Sequence, residues 1–206
     1  TGFRLAPAGG EEYFKVKPDM SIFGKIIGGG FPIGAFSGRE DVMDMCSFPV
    51  CSFPEFKKPR VPSSGTWNAF PVALAAGLAQ LNELKPKDYE YINKLGHNLR
   101  TGLTKLLSDL NIKGVTVGTG SVFHVFFTEE KEIARYRDTL SAEPRILRYF
   151  DLDLLNRGVY LAPDHACNIS VATTDKDIEQ TLKAMKQTLI AIKPIIREIA
   201  PNLIIK

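Results

Sequence analysis

The sequence is poor in cysteine, which limits the environments and the metal chemistry open to it. Its three cysteines are Cys46, Cys51 and Cys167. An odd, low count argues against a disulfide framework and suits a reducing compartment, so we predict a cytoplasmic protein. Four residues separate Cys46 from Cys51, but no second pair and no nearby histidine completes a zinc-binding set. The sequence therefore predicts no metal site.

Charge of one sign and long apolar runs are also missing. The 26 basic and 23 acidic residues leave a formal net charge of +3, which is too small an excess to indicate a nucleic-acid partner. No run of 18 apolar residues occurs, which argues against a membrane-spanning helix. The 206 residues are 44% hydrophobic and 24% charged, which excludes disordered, collagen-like and coiled-coil chains. Neither nucleic acid nor membrane is an expected partner.

The first part of the chain, residues 1–108, is glycine- and proline-rich and then helical. One helix is expected to begin at Pro71 and a second to follow Pro86. The second carries apolar residues at steps of three and four, typical of an amphipathic helix. Several prolines between Phe48 and Pro62 predict an exposed loop there.

The second part, residues 109–206, predicts an α+β domain. A helix is expected from Glu143 to Asn156, and the last helix opens at Thr174, which with Asp177 resembles a capping box. Strands are expected over residues 115–117, 122–127, 159–161 and 169–171. This order suggests a small sheet covered by helices on one side.

One segment combines groups that could carry chemistry. In Asp19-Met20-Ser21-Ile22-Phe23-Gly24-Lys25-Ile26-Ile27-Gly28-Gly29-Gly30, a single lysine lies between small or apolar residues and precedes three glycines. We expect Lys25 to be partly desolvated, which would make its amine more nucleophilic and able to form a Schiff base with an aldehyde. A lysine that merely extends into water before a glycine turn explains the same residues.

The order of motifs resembles that of the class III pyridoxal-phosphate aminotransferases. Asp19 through Gly29 resembles their lysine signature, and within the class the glutamate-1-semialdehyde 2,1-aminomutase group is most similar. The other segments that carry the resemblance are Thr1-Gly2-Phe3-Arg4, Phe31-Pro32-Ile33-Gly34-Ala35, Gly38-Arg39, Gly65-Thr66, Pro71, Ala75-Ala76-Gly77 and Gly158-Val159-Tyr160-Leu161-Ala162-Pro163.

The resemblance implies an α/β fold, that of the fold-type I pyridoxal-phosphate transferases. Residues 1–108 would form the C-terminal part of the large cofactor-binding domain, and residues 109–206 the small α+β domain. Lys25 would form a Schiff base with pyridoxal 5′-phosphate and shuttle a proton between substrate and cofactor. Thr66 would bind the cofactor phosphate, and Gly65 would permit a close approach there. In the family this contact usually comes from the neighbouring subunit, which implies a homodimer with a shared active site.

The same resemblance leaves parts of the site and the substrate open. The family's Asp beside the pyridine nitrogen, its phosphate loop and its stacking aromatic ring precede the segment at Thr1. We therefore expect this chain to be the C-terminal half of a longer protein, inactive and poor at binding cofactor by itself. The substrate would be a small amino or oxo compound, but Phe70 stands where the aminomutases typically have Asn.

Three alternatives to an aminomutase stay open. A class III ω-amino acid or amine transaminase shares the cofactor, and a non-catalytic cofactor-binding or interaction module could keep the scaffold. A nucleotide-phosphate binder could use Gly28 to Gly30, although the Lys-Ser/Thr ending of a P-loop is absent.

Other polar and aromatic residues have ordinary structural interpretations. His124 falls in an apolar strand and is expected in the core, His97 is expected at the surface, and Arg39 in a surface salt bridge. His165 lies in a segment that is near the active-site entrance in the family, so substrate contact is a hypothesis for it. A dimer-contact patch is a hypothesis for Phe48, Phe53 and Phe56.

Overall fold

A computed structural model describes residues 2–46, 61, 65–162 and 167–205. The predicted loop between Phe48 and Pro62, apart from Val61, lies outside these residues. The hypothetical patch within that loop and His165 lie outside them as well. The chain divides into two compact units, Thr1–Tyr89 and Glu90–Lys206.

The described residues of the first unit form a β-hairpin and three α-helices. Its elements are α1 (Gly10–Phe14), β1 (Met20–Gly24), β2 (Gly34–Gly38), α2 (Glu40–Met43) and α3 (Pro71–Glu83). β1 and β2 pair antiparallel, from Met20 opposite Gly38 to Gly24 opposite Gly34. α3 begins at the predicted proline, whose missing N–H is no loss in a first helical turn. The hairpin and α3 are the elements that carry the lysine segment.

The second unit is built on a small antiparallel sheet and long helices. Its elements are α4 (Pro86–Asp109), β3 (Val115–Thr119), β4 (Val122–Phe126), α5 (Pro144–Asn156), β5 (Cys167–Asn168) and α6 (Asp175–Ile199). The strand order is β3-β4-β5. The helices and β4 supply one apolar core, whose most deeply buried members include Leu95, Leu103, Phe123, Phe150, Leu154, Met185, Leu189 and Ile196.

The two units meet in sequence near the start of α4, at Tyr89 and Glu90, rather than at the predicted boundary of 108 and 109. The predicted boundary corresponds to the C-terminal end of α4, at Asp109. The difference arises because the apolar stripe of α4, which includes Leu95 and Leu103, packs into the core of the second unit. Most of α4 therefore belongs structurally with the residues that follow it.

Two of the predicted strands are wrong. Residues 159–161 form no strand, because the N–H of Val159 instead donates to the Leu154 carbonyl (3.0 Å) at the end of α5. Pairing beyond β5 ends with a hydrogen bond from Ile169 to the Ser121 carbonyl (3.1 Å), and the chain then turns between Ser170 and Thr173. The helix end thus uses the Val159 N–H and the turn uses the Ser170 carbonyl, groups that a strand would have offered to a neighbouring strand.

The predicted start of α6 is confirmed. The Thr174 hydroxyl accepts from the Asp177 N–H (3.2 Å), and the Asp177 carboxylate accepts from the Thr174 N–H (2.8 Å). This capping box satisfies two N–H groups that the helix itself leaves without partners.

Within the described ranges, no helix is long and apolar enough to cross a membrane. Over the same residues, no three His, Cys, Asp or Glu side chains form a group that could hold a metal ion. Cys46 and Cys167 are free thiols, and burial, followed by the charge of Asp151, raises the pKa of Cys167 to about 12. A thiol with so high a pKa is not a reactive nucleophile at neutral pH.

A polar cluster joins α5 to α6 inside the second unit. The fully buried Thr188 donates its hydroxyl to the Asp153 carboxylate (2.7 Å), which also accepts from Arg157 Nε (2.6 Å). The Arg157 guanidinium, and then the Thr188 hydroxyl, hold the pKa of Asp153 below its ordinary value. The folded state thus favours an ionised Asp153, and its stabilisation is present above the ordinary carboxyl pKa and lost as pH falls below it.

We expect Thr188→Val to lower the free energy of unfolding at neutral pH by about 1–3 kcal/mol, since it removes a buried hydrogen bond to a charged acceptor. Thr188→Ser keeps the hydroxyl and is the matched control. The difference in unfolding free energy between the two variants should narrow as pH falls below the ordinary carboxyl pKa of about 4, because the unfolded chain then binds a proton that the folded Asp153 still disfavours. Denaturant unfolding across this pH range measures the difference in unfolding free energy between the two variants. A difference that does not change with pH would contradict a hydrogen bond from Thr188 to an ionised Asp153.

Candidate functional site

Lys25 lies at the point where the hairpin passes into a turn. It follows the last residue of β1 and begins a short 3-10 turn, Lys25–Gly28. Its φ is +58°, in the left-handed region that lysine rarely adopts. The side chain is exposed, whereas Ile26 and Ile27 are half-buried. The expected partial desolvation of Lys25 is therefore not observed in the described chain, because the neighbouring apolar side chains are buried while the lysine is not.

A glycine closes the Lys25–Gly28 turn. Gly29 has φ +59°, and its N–H donates to the Ile26 carbonyl (3.1 Å). The next hydrogen bond runs from the Phe31 N–H to the Gly28 carbonyl (3.0 Å). Glycine suits this position because it adopts a positive φ without a steric cost.

The same turn rests directly on α3. A Cβ at Gly29 would lie 2.5 Å from the Ala76 carbonyl oxygen, and a Cβ at Gly77 would lie 2.5 Å from the Ile27 carbonyl oxygen. Both distances are below any ordinary carbon–oxygen contact, so each backbone approaches at a place where the other has no side chain. This packing accounts for Gly29 without a phosphate ligand, and the N–H of Gly29 is already used within the turn. The glycine run is therefore weaker support for a nucleotide-phosphate site.

The predicted phosphate contact lies in the turn that leads into α3. Gly65 and Thr66 are exposed, and the Asn68 N–H donates to the Gly65 carbonyl (3.0 Å). A Cβ at Gly65 would lie 3.0 Å from Asn68 Oδ1, a tight contact with the end of a side chain. Ala69 has φ +55°, a second non-glycine residue in the left-handed region. Residues 65–70 thus form a compact turn directly before the helix.

An aromatic pair follows Thr66 and was not singled out in the sequence as a functional feature. Trp67 and Phe70 pack edge to face, with ring centroids 5.3 Å apart, and Trp67 is 74% exposed. The available signal was the position of the only tryptophan directly after the candidate phosphate ligand. These rings give the turn an apolar surface beside the Thr66 hydroxyl.

α3 is the element common to the two candidate groups. The turn with Gly65 and Thr66 leads into its first residue, and the Lys25–Gly28 turn packs on Ala76 and Gly77 near its middle. A primary amine can bind an aldehyde covalently, while a hydroxyl beside the positive end of a helix suits a phosphate. The chemistry of these groups fits a ligand that carries both an aldehyde and a phosphate.

Arg39 is in a surface salt bridge, as predicted. It contacts Asp19 at 2.5 Å and Asp41 at 2.6 Å, and its own side chain is about half exposed. The Arg39 guanidinium holds the pKa of Asp41 below its ordinary value. These contacts lie at the end of the hairpin where Met20 faces Gly38, and Lys25 is at the opposite end. Arg39 therefore ties the hairpin together away from the lysine.

The two described histidines lie in the second unit, apart from the lysine segment in sequence. His97 is exposed on α4, as predicted. His124 is only half-buried, which corrects its expected place in the core. The strand alternates, so Phe123 and Val125 face the core while His124 lies on the other face and stacks on Phe126 with centroids 4.4 Å apart. Its Nδ1 lies 2.7 Å from the Val125 carbonyl oxygen.

Comparison with known proteins places most of the chain in one family. Residues 5–189 match the family model described as aminotransferase class-III. The glutamate-1-semialdehyde 2,1-aminomutase of Methanothermobacter thermautotrophicus is 38% identical over 195 residues, which are 94% of this chain and 44% of that relative. The chain thus spans less than half the length of this curated relative.

Solved structures agree with the sequence comparison. An ω-transaminase from Sphaerobacter thermophilus superposes with a TM-score of 0.82 at 30% identity, over 93% of this chain and 43% of that one. A transaminase with pyridoxal phosphate bound superposes with a TM-score of 0.78 at 26% identity, over 94% and 43%. The fold described above is therefore shared with these proteins over nearly the whole chain.

The contact between the turn and α3 can be tested with two neighbouring glycines. Gly29 and Gly30 both have positive φ, but a Cβ at Gly30 would have nothing within 4 Å. We expect Gly30→Ala to cost about 1 kcal/mol in unfolding free energy from backbone strain alone. Gly29→Ala adds a backbone clash and should cost about 3 kcal/mol or more. Denaturant unfolding compares them, and equal losses would argue against the close approach.

Proposed function

Because the chain belongs to the class-III aminotransferase family, we propose that it is part of a pyridoxal-phosphate-dependent aminotransferase or aminomutase. Its fold is accordingly α/β, of the fold-type I transferases. The proposal rests on Lys25, an exposed lysine that directly follows β1. Its backbone is in the left-handed conformation, and the turn that it begins packs on α3. Strained backbone conformations of this kind concentrate at functional sites.

In this proposal Lys25 holds the cofactor and moves a proton. Pyridoxal phosphate, when bound, supplies an aldehyde that accepts amino groups and a ring that takes up electrons. Lys25 would bind the aldehyde carbon through Nζ, with the aldehyde oxygen leaving as water. Once a substrate amine has displaced it, the same lysine amine would carry the proton to and from the reacting carbon. The residue is exposed in this chain, as a lysine that receives a ligand must be.

Thr66 and Gly65 would hold the phosphate of the cofactor. The exposed Thr66 hydroxyl and the turn backbone precede α3, whose N-terminal end favours an anion. We propose that this contact is made to the cofactor of the neighbouring subunit, in a homodimer with shared active sites. In the division that the family implies, residues 1–108 would belong to the large cofactor-binding domain and residues 109–206 to the small domain, with the apolar stripe of α4 packed into the core of the second unit. The protein would be cytoplasmic.

The reaction we propose is that of the glutamate-1-semialdehyde 2,1-aminomutases, an amino-group transfer on a small amino or oxo substrate. The 38% identity to the Methanothermobacter aminomutase supports it. The structural similarity to the Sphaerobacter ω-transaminase supports the second candidate, a transaminase for ω-amino acids or amines. Trp67 and Phe70 add an aromatic surface next to Thr66, which suits an apolar substrate group in the second case. A non-catalytic module would bind the cofactor but turn over no substrate.

We expect borohydride treatment of the full-length protein with pyridoxal phosphate to attach the cofactor to Lys25. Peptide mass spectrometry should find the reduced adduct there, and the visible absorption of the mixture should be lost. Lys25→Ala should abolish the adduct, and Lys17→Ala, an exposed lysine in the same unit, is the matched control. A principal adduct on any other lysine would contradict the assignment. Transfer to an added oxo acid, tested against internal amino exchange, separates transaminase from aminomutase.

The phosphate contact predicts that Thr66→Ala weakens binding of pyridoxal phosphate about 10- to 100-fold, because a hydrogen bond to a charged group is lost. Thr66→Ser keeps the hydroxyl and should bind within about threefold of wild type, as measured by equilibrium dialysis.

Mixed dimers test whether the contact crosses between subunits. A dimer of one Lys25→Ala subunit and one Thr66→Ala subunit contains one fully intact site if Thr66 acts on its neighbour. It contains none if Thr66 acts within its own subunit. Tight binding at half of the sites therefore supports a shared active site, and weak binding at every site argues against it.

A further inference from the structure

The backbone on both sides of Lys25 is held, although the lysine itself is exposed. On the N-terminal side, Gly24 ends the ladder of the hairpin opposite Gly34. On the C-terminal side, Ile27 lies against α3 at Gly77. A residue with a φ of +58° costs energy relative to the ordinary helical region. Backbone contacts on either side of Lys25 help to hold this conformation.

On the helix side of this contact, Gly77 is the residue that faces the Lys25–Gly28 turn most closely. A Cβ there would lie 2.5 Å from the Ile27 carbonyl oxygen and 3.7 Å from Gly28 Cα. The first neighbour is backbone, so it cannot rotate away as a side-chain end could. A methyl group at Gly77 would have to push the turn outward by about 1 Å to reach ordinary contact. Ile27 is two residues from Lys25, so the displacement reaches the lysine backbone within a single turn.

From this geometry we propose that Gly77 is a positioning residue for Lys25. Because Gly77 has no side chain, the Lys25–Gly28 turn can pack close to α3. The distance between turn and helix then determines the position of the lysine amine. The inference rests on the proposed role of Lys25 as the residue that binds the cofactor. Gly77 itself touches only the turn, and its effect on the reaction passes through the lysine. A displacement of about 1 Å can reduce a rate about 100-fold when it misplaces a reacting group.

The test compares Gly77→Ala in two backgrounds of the full-length protein, the natural one and Lys25→Ala. With Lys25 present, we expect Gly77→Ala to slow formation of the Lys25 adduct and to weaken pyridoxal-phosphate binding, each about 10- to 100-fold. In the Lys25→Ala background, where only non-covalent contacts remain, the same substitution should change affinity less than about twofold. Stopped-flow absorbance and equilibrium dialysis supply the two readouts.

Matched variants keep the result interpretable. Gly10→Ala adds the same methyl group in the same unit where the nearest atoms lie 3.8 and 3.9 Å away, and it should leave both readouts unchanged. Circular dichroism verifies folding. If Gly77→Ala does not fold, Ala76→Gly serves instead, since it removes the methyl group that would lie 3.1 Å from a Cβ at Gly29. Weaker packing between the Lys25–Gly28 turn and α3 should slow adduct formation about threefold, again only when Lys25 is present.

Failure of the positioning role of Gly77 can be distinguished from failure of the proposed function of Lys25. An equal loss of affinity with and without Lys25, or an unchanged adduct rate in a folded variant, would overturn the positioning role of Gly77. A wild-type protein that forms no adduct on Lys25 would overturn the proposed function instead, whatever the Gly77 variants do.

Discussion

The first unit depends on one backbone contact, in which the turn after β1 and the helix α3 approach each other at two glycines. Gly29 faces the Ala76 carbonyl and Gly77 faces the Ile27 carbonyl, each at a distance that leaves no room for a Cβ. Through this contact a single helix supports both Lys25 and the turn that carries Thr66. Neither group needs a long loop to hold it, because each is adjacent to a backbone segment packed on or continuous with α3.

The two units differ in how they bury their apolar residues. The second has a core of its own, in which α4, α5 and α6 close around β4 and the polar link from Thr188 to Asp153 joins two of the helices. Both units expose some large apolar side chains, among them Ile22 at 84% in the first and Tyr136 at 80% in the second. Most of the deeply buried apolar residues belong to the second unit. The candidate site thus lies in the unit whose own residues bury least.

Several elements could be predicted from the local sequence pattern, and the wrong predictions have identifiable physical causes. Pro71, the leucine stripe of α4 and the capping box at Thr174 depend on neighbours within one or two turns, and the structure has each of them. The strands expected at 159–161 and 169–171 failed because helix-end and turn hydrogen bonds took their backbone groups. His124 was expected in the core, but strand alternation places it on the half-buried face beside Phe126. Strand pairing and the burial of a strand's two faces depend on segments that are distant in the sequence.

The sequence by itself determined the helices that begin at Pro71 and Thr174, the apolar stripe of α4 and Lys25 as a candidate nucleophile. The resemblance to the class III aminotransferases, carried by the order of the motifs, added Gly65 and Thr66 as candidate phosphate contacts. Only the tertiary structure decided that Gly29 packs against α3, that Lys25 is exposed with a φ of +58°, and that α4 belongs mainly to the second unit. Those features arise from the approach of segments about fifty residues apart, and no local pattern encodes how closely two backbones can meet.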